Sequence, residues 1–417
     1  MNIIPSDNFI GTHYIGQEEE NAVIEVLKSK SLFRYDGPRL LNKSLFLEES
    51  LNSFFGIENS LVCSSGAAAL KLCCVALGIG PGDEVLIPAF TFIASAGAVL
   101  SCGAIPNFLE IDESMNVDCK KIEERITPQT KAIMAVHIQG VPCNMDLILD
   151  IAKKHGLYVI EDVAQAFGAR YDDYYVGTLG DAAAFSLQAG KIITCGEGGI
   201  FICKSKDGFE RAKRYHDNGG KRIDNGYPIW DDPECSFGEN FKITEIQSAI
   251  ALEQLKKSHI IIEKQRELYC ELVKGIDVTF YNLRNFPPKA NPVPVSICFV
   301  FHSISMCESF IQECKKRNLE MDKYCDKILT TYTTFRMKSS WHSSGIPYTN
   351  ATYQLNDCPI SEELSKRTAW FPISPLLTSG NIYTIHTIFD ETKDTLIGIG
   401  YPKSELSSSN LRHREFK

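Results

Sequence analysis

One lysine stands where its amine could act as a nucleophile. The stretch AAFSLQAGKIITCGEGG, residues 183–199, runs from a short apolar segment through Lys191 into a glycine-rich turn. A lysine in such a loop is most often solvated, because charged side chains are rarely buried without a partner. In a pocket, however, burial lowers the pKa of the amine, and a neutral amine attacks a carbonyl carbon. The surroundings of the lysine in the fold decide between these two interpretations.

Four further features could serve the same ligand. Ser65 and Gly66 open a helical pattern in CSSGAAAL, where free N–H groups and the helix dipole would attract a phosphate. Asp162 ends the apolar run LYVIED, and a carboxylate there would pair with a cation. Phe92 in PAFTFIAS could lie against a planar ring, and the Ser186 hydroxyl could contact the same anion as the helix. Each has a commoner alternative: a capped helix start, a helix cap, core packing or a polar strand residue.

Together these features match one cofactor, pyridoxal phosphate, which has a phosphate arm, a planar ring, a basic ring nitrogen and an aldehyde. Neither G-x-G-x-x-G nor G-x-x-x-x-G-K-[ST] occurs, so dinucleotide and P-loop sites have no support. The 15 cysteines form no C-x-x-C, and the nine histidines do not cluster near them at ligand spacing. This favours reduced thiols, a cytoplasmic protein and no structural metal.

Composition excludes several other classes of function. With 417 residues, 44% hydrophobic and 23% charged, the chain is typical of a soluble globular protein of two to three domains. A net charge of -9 without a basic stripe argues against nucleic acid as a partner. No apolar run reaches the roughly 20 residues of a membrane span, and the start MNIIPSDNFIGTHYIG lacks the features of a signal peptide.

Helical and strand patterns alternate up to about residue 205. EVLIP, AIPNFLEI, KAIMAVHI and LYVIED are predicted as strands, and EEENAVIEVLKSK, TFIASAGAVLSCG and NMDLILDIAKKHG as helices, the last capped by Asn144. This alternation predicts an α/β fold whose mostly parallel sheet is covered by helices on both faces. The ligand site of such a sheet lies beyond the carboxyl ends of its strands.

The pattern changes after that point. Residues 206–240 are predicted to be loop-rich, because DNGGKRIDNGYPIWDDPECSFGEN is full of turn formers. KITEIQSAIALEQLKKSHIIIEKQRELYCELV then predicts a helix of about thirty residues. Beyond it, PVPVSICFVF is predicted as a strand and SFIQECKKRN as a helix. We therefore expect a large domain over 1–250 and a smaller α/β domain over 251–417, with a frayed tail SSSNLRHREFK.

Ordered motifs extend from roughly residue 12 to 390: SSGAAAL, GIGPGDEVLIPAFTFIAS, AIPNFLEID, VHIQG, VIEDVAQAFGARY, GTLGDAAAFSLQAGKIITCGEGG, FGENFKITEIQSAIALEQL and CPISEELSKRTAWFPISPLL. In these motifs the chain resembles the DegT/StrS family of sugar aminotransferases. The resemblance implies the fold type I of PLP-dependent enzymes and transfer of an amino group from Glu or Gln to a keto sugar or keto cyclitol. GEGG and LFRYDG look most like the branch acting on keto-octulosonates and inososes.

The resemblance also implies roles for residues at matching positions. Lys191 would form a Schiff base with the cofactor aldehyde and later move the proton between the substrate carbon and the cofactor. Asp162 would pair with the ring nitrogen, Gln165 would hydrogen-bond the phenolate oxygen, and Phe92 would stack on the ring.

The cofactor phosphate would be held by a second set of groups. The resemblance implies the helix start at Ser65, the N–H groups of Gly66 and Ala67, the Ser186 hydroxyl, and Asn240 of a neighbouring subunit. It therefore implies a homodimer with two shared active sites. Because it follows a turn-rich segment, Asn240 is expected on a projecting loop rather than beside Gly66 of its own chain.

Two positions depart from the family pattern. Ala67 replaces the usual Thr, which removes a side-chain donor worth about 1–3 kcal/mol to a charged acceptor. Lys242 replaces an Arg, which removes a bidentate contact. Two rival functions remain. A PMP-dependent sugar dehydratase of the same fold would carry His in place of Lys191, and a non-catalytic ligand-binding relative would not need the full set of residues.

Overall fold

The computed structural model describes residues 4–7, 9–223, 226–324, 327–340, 342–348 and 357–401. The predicted frayed tail SSSNLRHREFK lies outside these residues. The first part of the chain contains nine strands in the described residues: β1 (Ser60–Cys63), β2 (Glu84–Pro88), β3 (Ile105–Leu109), β4 (Thr130–Val136), β5 (Tyr158–Asp162), β6 (Arg170–Tyr171), β7 (Tyr174–Tyr175), β8 (Ala182–Ser186) and β9 (Gly199–Cys203).

Seven of these strands form the central sheet, in the order β1-β9-β8-β5-β4-β2-β3. Strand β9 runs antiparallel to both of its neighbours, β1 and β8, while the other pairings are parallel. The predicted mostly parallel sheet is therefore confirmed. Strands β5 and β8 are neighbours, so their carboxyl ends place Asp162 and the segment that leads to Lys191 at one edge of the sheet.

Helices cover both faces of this sheet: α1 (Gln17–Ser29), α2 (Lys43–Phe55), α3 (Gly66–Ala76), α4 (Ile93–Ser101), α5 (Met145–His155), α6 (Lys206–Tyr215) and α7 (Glu245–Lys274). Successive strand residues enter two different cores, as period-2 alternation requires. In β4, Met134 packs with residues of α3, α4 and α6 on one face. Its neighbours Ile133 and Ala135 pack with residues of α2, α5 and α7 on the other.

The predicted elements before residue 205 are confirmed, including the Asn144 cap of α5, which accepts a hydrogen bond from Leu147 N–H at 3.5 Å. The stretch 206–240, predicted to be loop-rich, begins with a helix that was not predicted, since its first ten residues form α6. Ser205 caps this helix, and Phe209 and Ala212 bury its inner face. The strong turn formers begin only after the helix ends.

The C-terminal part adds β10 (Ala290–Asn291), β11 (Ser296–Val300) and β12 (Thr368–Pro372), with α8 (Ile304–Lys316), α9 (Thr333–Arg336), α10 (Pro359–Lys366) and α11 (Ser379–Gly398). Strands β11 and β12 pair antiparallel beside a separate apolar core. The long helix α7 links the parts, since its first half packs on α1 and α2 and its end joins the C-terminal core. The domain boundary at 250/251 stays a prediction, and it falls inside α7.

No helix in the described part of the chain combines the length and apolar character needed to cross a membrane. The same residues contain no group of three or more His, Cys, Asp or Glu side chains arranged to hold a metal ion.

Candidate active site

The loop after β8 holds Lys191 against the N-terminal segment. Gly11 N–H donates to the Lys191 carbonyl at 2.8 Å, and the Thr12 hydroxyl donates to the Ala189 carbonyl at 2.8 Å. A Cβ at Gly11 would lie 2.8 Å from the Lys191 carbonyl oxygen, so only glycine allows this approach. The loop is closed on itself by Lys191 N–H, which donates to the Gln188 carbonyl at 3.0 Å. The lysine backbone is thus fixed from two sides.

Lys191 lines a cavity of about 350 Å³ beside the carboxyl ends of the parallel strands. Burial lowers the pKa of its amine below the ordinary value, and the negative charges of Asp162 and Glu197 oppose this shift. The environment therefore corresponds to the nucleophilic amine rather than to a solvated lysine. Phe92 and Gln165 line the same cavity, and Phe92 is 59% exposed.

Asp162 is buried at the end of β5, behind the cavity wall. Its carboxylate accepts hydrogen bonds from the Ser95 hydroxyl at 2.8 Å and from Ala164 N–H at 3.1 Å. Because Ser95 gives its proton to Asp162, the Thr91 hydroxyl, 2.8 Å away, donates to Ser95. Burial raises the pKa of Asp162, while these hydrogen bonds and the charge of Lys191 oppose the rise. A cationic group placed near this carboxylate would favour its ionised form.

Gln165 is oriented by its neighbour Gln139. Its side-chain Oε1 accepts a hydrogen bond from Gln139 N–H at 3.0 Å, which leaves its amide N–H groups available as donors. Gln139 and Gly140 both have positive φ angles, 51° and 81°, at the end of β4. This turn therefore fixes which end of the Gln165 amide is free to meet an acceptor in the cavity.

A second group of predicted residues meets at the start of α3. Ser65 caps the helix by accepting from Ala68 N–H at 3.1 Å, and no acceptor among the described residues bonds the N–H groups of Gly66 and Ala67. A Cβ at Gly66 would lie 2.9 Å from the Ser186 Cβ, so helix start and strand end are in contact. Two free N–H groups and a nearby hydroxyl match an anion site at a helix N-terminus.

Asn240 lies closer to this site than expected. Ser64 N–H donates to the Phe241 carbonyl at 2.7 Å, and Lys242 forms a backbone bridge with Cys63. The expectation of a loop directed away from the chain's own helix start was wrong, because this backbone pairing attaches residues 241–242 to 63–64. The Asn240 side chain is exposed, and its Oδ1 accepts from Lys242 N–H at 3.3 Å.

Lys242, the position where the family pattern has Arg, is engaged in an ion pair. Its amine contacts the Asp217 carboxylate, which also pairs with Arg222. Burial opposes ionisation of Asp217, but the hydrogen bonds from Arg222 and Lys242 hold its pKa below the ordinary value. Lys242, two residues after Asn240, therefore keeps its positive charge in contact with the Asp217 carboxylate.

Several cavity residues were not found from the sequence. Phe9 and Ile10 come from the N-terminal segment, and Tyr324 and Lys327 come from the C-terminal part. No local pattern marks these four, because each reaches the cavity only through tertiary packing. Gln139 had a signal, since it lies in the motif VHIQG, but the motif alone did not indicate its role.

The donor set fits pyridoxal phosphate. The two unbonded N–H groups at Gly66 and Ala67 suit its phosphate, and the buried carboxylate of Asp162 suits its ring nitrogen. The amine of Lys191, made less basic by burial, suits its aldehyde. Phe92, Gln165 and Lys191 line the cavity, whereas the other predicted residues are not among its described lining residues.

Comparison with known proteins gives the same result. The chain matches the DegT/DnrJ/EryC1/StrS aminotransferase family over residues 13–389. It is 43% identical to the GDP-perosamine synthase of Caulobacter vibrioides over 211 residues, which are 50% of this chain and about half (55%) of that protein. It is 32% identical to the GDP-perosamine synthase of Escherichia coli O157:H7 over 354 residues, 84% of this chain and 91% of that protein.

Among solved structures, the chain is similar to DesV from S. venezuelae, determined in complex with a ketimine intermediate. The TM-score is 0.80 at 25% identity, over 94% of this chain and 99% of that one. The fold and the lysine-centred cavity define a PLP-dependent enzyme of the aminotransferase class. The chain belongs to the DegT/DnrJ/EryC1/StrS aminotransferase family.

Proposed function

We propose that this aminotransferase moves an amino group from Glu or Gln to the carbonyl carbon of a keto sugar, at the cavity that contains Lys191. The observation that carries the proposal is the lysine amine whose pKa is lowered by burial, in a cavity next to a buried carboxylate. A keto cyclitol is the second candidate acceptor, as the resemblance of GEGG and LFRYDG to the inosose branch suggests.

Bound pyridoxal phosphate would supply an electron sink that stabilises the carbon from which a proton is removed. Lys191, whose pKa is lowered by burial, would move that proton. Asp162 would hold a positive charge at the ring nitrogen, and Gln165 would donate from its free amide end. Phe92 would pack against the ring. Together these three side chains would orient the cofactor relative to the lysine.

The phosphate of the cofactor would bind at the helix start described above. Gly66 and Ala67 donate their N–H groups, Ser65 caps the helix, and Ser186 adds a hydroxyl. Asn240 completes the site from the neighbouring subunit. Ala67 offers no hydroxyl, so backbone donors carry a larger share of the binding here than with a Thr at this position.

The acceptor is proposed from the relatives. Both curated relatives described above are GDP-perosamine synthases, which favours a keto sugar linked to a nucleotide. The keto-octulosonates and inososes expected from the sequence remain the runner-up acceptors. Aromatic and amide side chains line the cavity, which suits the apolar faces and the hydroxyls of a sugar ring.

We propose a cytoplasmic homodimer with two shared sites. The fourteen cysteines that the structure describes are all free thiols, which supports a reducing compartment. Large apolar side chains exposed near Asn240, among them Tyr227 and Phe237 at 86% each, support an interface there. The division into domains 1–250 and 251–417 is retained as part of this proposal.

A visible spectrum tests the function directly. The purified protein with pyridoxal phosphate should absorb in the visible region, lose that band on adding Glu or Gln, and recover it on adding a keto sugar. A screen of nucleotide-linked keto sugars, keto-octulosonates and inososes identifies the acceptor. A band that no amino acid bleaches would favour the non-catalytic relative. Loss of a sugar hydroxyl without amine transfer would favour the dehydratase, which Lys191 already argues against.

A further inference from the structure

A second lysine, Lys327, lines the same cavity as Lys191. These two are the charged residues among the described cavity-lining residues, and no Asp or Glu is among them. The Lys327 side chain is half-buried, and no described carboxylate forms an ion pair with it. A cation at a mainly apolar cavity wall without an anionic partner is an attractive position for a ligand's anion.

The backbone around Lys327 is fixed against the cofactor side of the cavity. Ile328 forms a backbone bridge with Phe90, and Leu329 N–H donates to the Ala89 carbonyl at 2.8 Å. These contacts attach the segment to the two residues that follow β2, shortly before Phe92. Lys327 N–H donates to the Tyr324 carbonyl at 2.9 Å, which closes a turn on its other side. The lysine is therefore held at a defined place rather than on a free loop.

The contact that the Lys327 amine makes with a described side chain is weak. The amine lies 6.0 Å from the centroid of the Tyr324 ring, at the outer limit of a cation–π contact. The Tyr324 hydroxyl donates to the Asp322 carboxylate at 3.0 Å, and the ring packs on Trp370 at 5.5 Å. The tyrosine is thus fixed by other groups and leaves the ammonium donors of Lys327 free for an anion.

We infer that Lys327 binds an oxyanion of the substrate, a carboxylate or a phosphate, and so sets which substrates the enzyme accepts. This inference rests on the proposed function for the identity of the substrates. Two sources have this chemistry: the α-carboxylate of the amino acid donor, and an acidic or phosphate group of the sugar acceptor. Lys191 is reserved for the cofactor, so the second lysine serves the molecule that reacts with it.

The test compares Lys327→Met and Lys327→Arg with the wild-type holoenzyme. Met keeps the stem and removes the charge, whereas Arg keeps the charge. In Lys327→Met, kcat/KM should fall about 10- to 100-fold in the half-reaction with the anionic partner, mainly through KM. Lys327→Arg should recover most of that loss. An effect on the donor half-reaction assigns the α-carboxylate, and an effect on the acceptor half-reaction assigns the acceptor's anion.

A matched control is Lys323→Met. Lys323 lies on the same segment but pairs with Glu308 at 3.2 Å and does not line the cavity. This variant should leave both half-reactions unchanged. Thermal unfolding of all variants shows whether any of them has lost its fold.

Calorimetric binding of glutarate, a dicarboxylate without an amine, provides a readout that does not need turnover. Glutarate should bind the wild-type holoenzyme at least about 10-fold more tightly than Lys327→Met does, and the uncharged glutaramide should not discriminate. Unchanged half-reactions together with unchanged glutarate binding overturn the inference. A wild-type protein that binds glutarate through Lys327 but transfers no amine overturns the proposed function and leaves the anion site standing.

Discussion

Lys191 must be neutral enough to react and yet remain in a folded protein. Burial lowers its pKa, and the negative charges of Asp162 and Glu197 oppose this shift. In the same site, burial raises the pKa of Asp162. Two opposite shifts in neighbouring groups are typical of a functional site, because a purely structural ion pair would stabilise both charges. The two shifts therefore support the roles proposed for Lys191 and Asp162.

Replacing the lysine tests its role. Lys191→Ala should abolish turnover while the protein keeps its fold and binds pyridoxal phosphate without a covalent bond, because the phosphate and ring contacts do not use the amine. Steady-state rates and equilibrium dialysis measure the two effects, and the exposed Lys120→Ala serves as the control. Transamination above the no-enzyme background in Lys191→Ala would remove this residue from its role.

The Asp162 carboxylate is tested by an isosteric change. Asp162→Asn keeps the shape and removes the charge that holds the ring nitrogen protonated, so turnover should fall by about two orders of magnitude or more with the cofactor retained. Single-turnover spectra with Glu and Gln measure the rate, with the exposed Asp173→Asn as a control. Near-normal rates in Asp162→Asn would mean that the carboxylate only caps the adjacent turn.

Local sequence patterns were sufficient to predict many of the strands and helices. Short apolar runs such as KAIMAVHI predicted the strands, and small residues after β1 predicted the helix start at Gly66. Helix α6 was not predicted, because the loop-rich segment indicated by the turn formers was extended to residues before them. Positions that depend on long-range pairing, such as Asn240 beside Ser64 or Lys327 beside Phe90, have no local signal. They follow only from how distant backbone segments pair.

The turn after β4 is the element that links Gln165 to the C-terminal part. Gly140 has a φ of 81°, and a Cβ there would lie 1.8 Å from the Val293 carbonyl oxygen. Gly140→Ala should therefore lower the free energy of unfolding by about 2–4 kcal/mol and weaken cofactor binding, because the turn that orients Gln165 must move.

Gly56→Ala is the matched control for this change. Gly56 has a φ of 67° but nothing within 4 Å of its Cβ position, so it should cost only the backbone strain of about 1–2 kcal/mol. Urea unfolding compares the two variants. Equal losses in both, with cofactor affinity unchanged, would show that the close contact at Gly140 does not hold the site.

Asn240 serves either the site of a partner subunit or the site of its own chain, and an experiment with mixed subunits distinguishes the two arrangements. Its segment pairs with its own chain at Ser64, yet its side chain is exposed, accepts a hydrogen bond from Lys242 N–H, and is not among the described residues that line the cavity. If Asn240 serves the partner, mixing the inactive variants Lys191→Ala and Asn240→Asp should restore about a quarter of normal activity per subunit. Random pairing gives half heterodimers, each with one intact site.

Sedimentation measures the oligomeric state, and the activity of the mixed variants after subunit exchange measures the rescue. Asp is used because its carboxylate would repel the phosphate. No rescue after demonstrated exchange would place Asn240 in its own chain's site, and a fully active monomer would contradict the shared-site dimer altogether.

The proposed role of Lys191 is to hold the cofactor and to release it to an amino acid. Borohydride reduction of the holoenzyme, followed by peptide mass mapping, measures this directly. We expect a pyridoxyl phosphate adduct on the peptide containing Lys191, and its loss when the enzyme is treated with excess Glu or Gln before reduction. An adduct on another lysine, or an adduct at Lys191 that neither amino acid removes, would contradict this role.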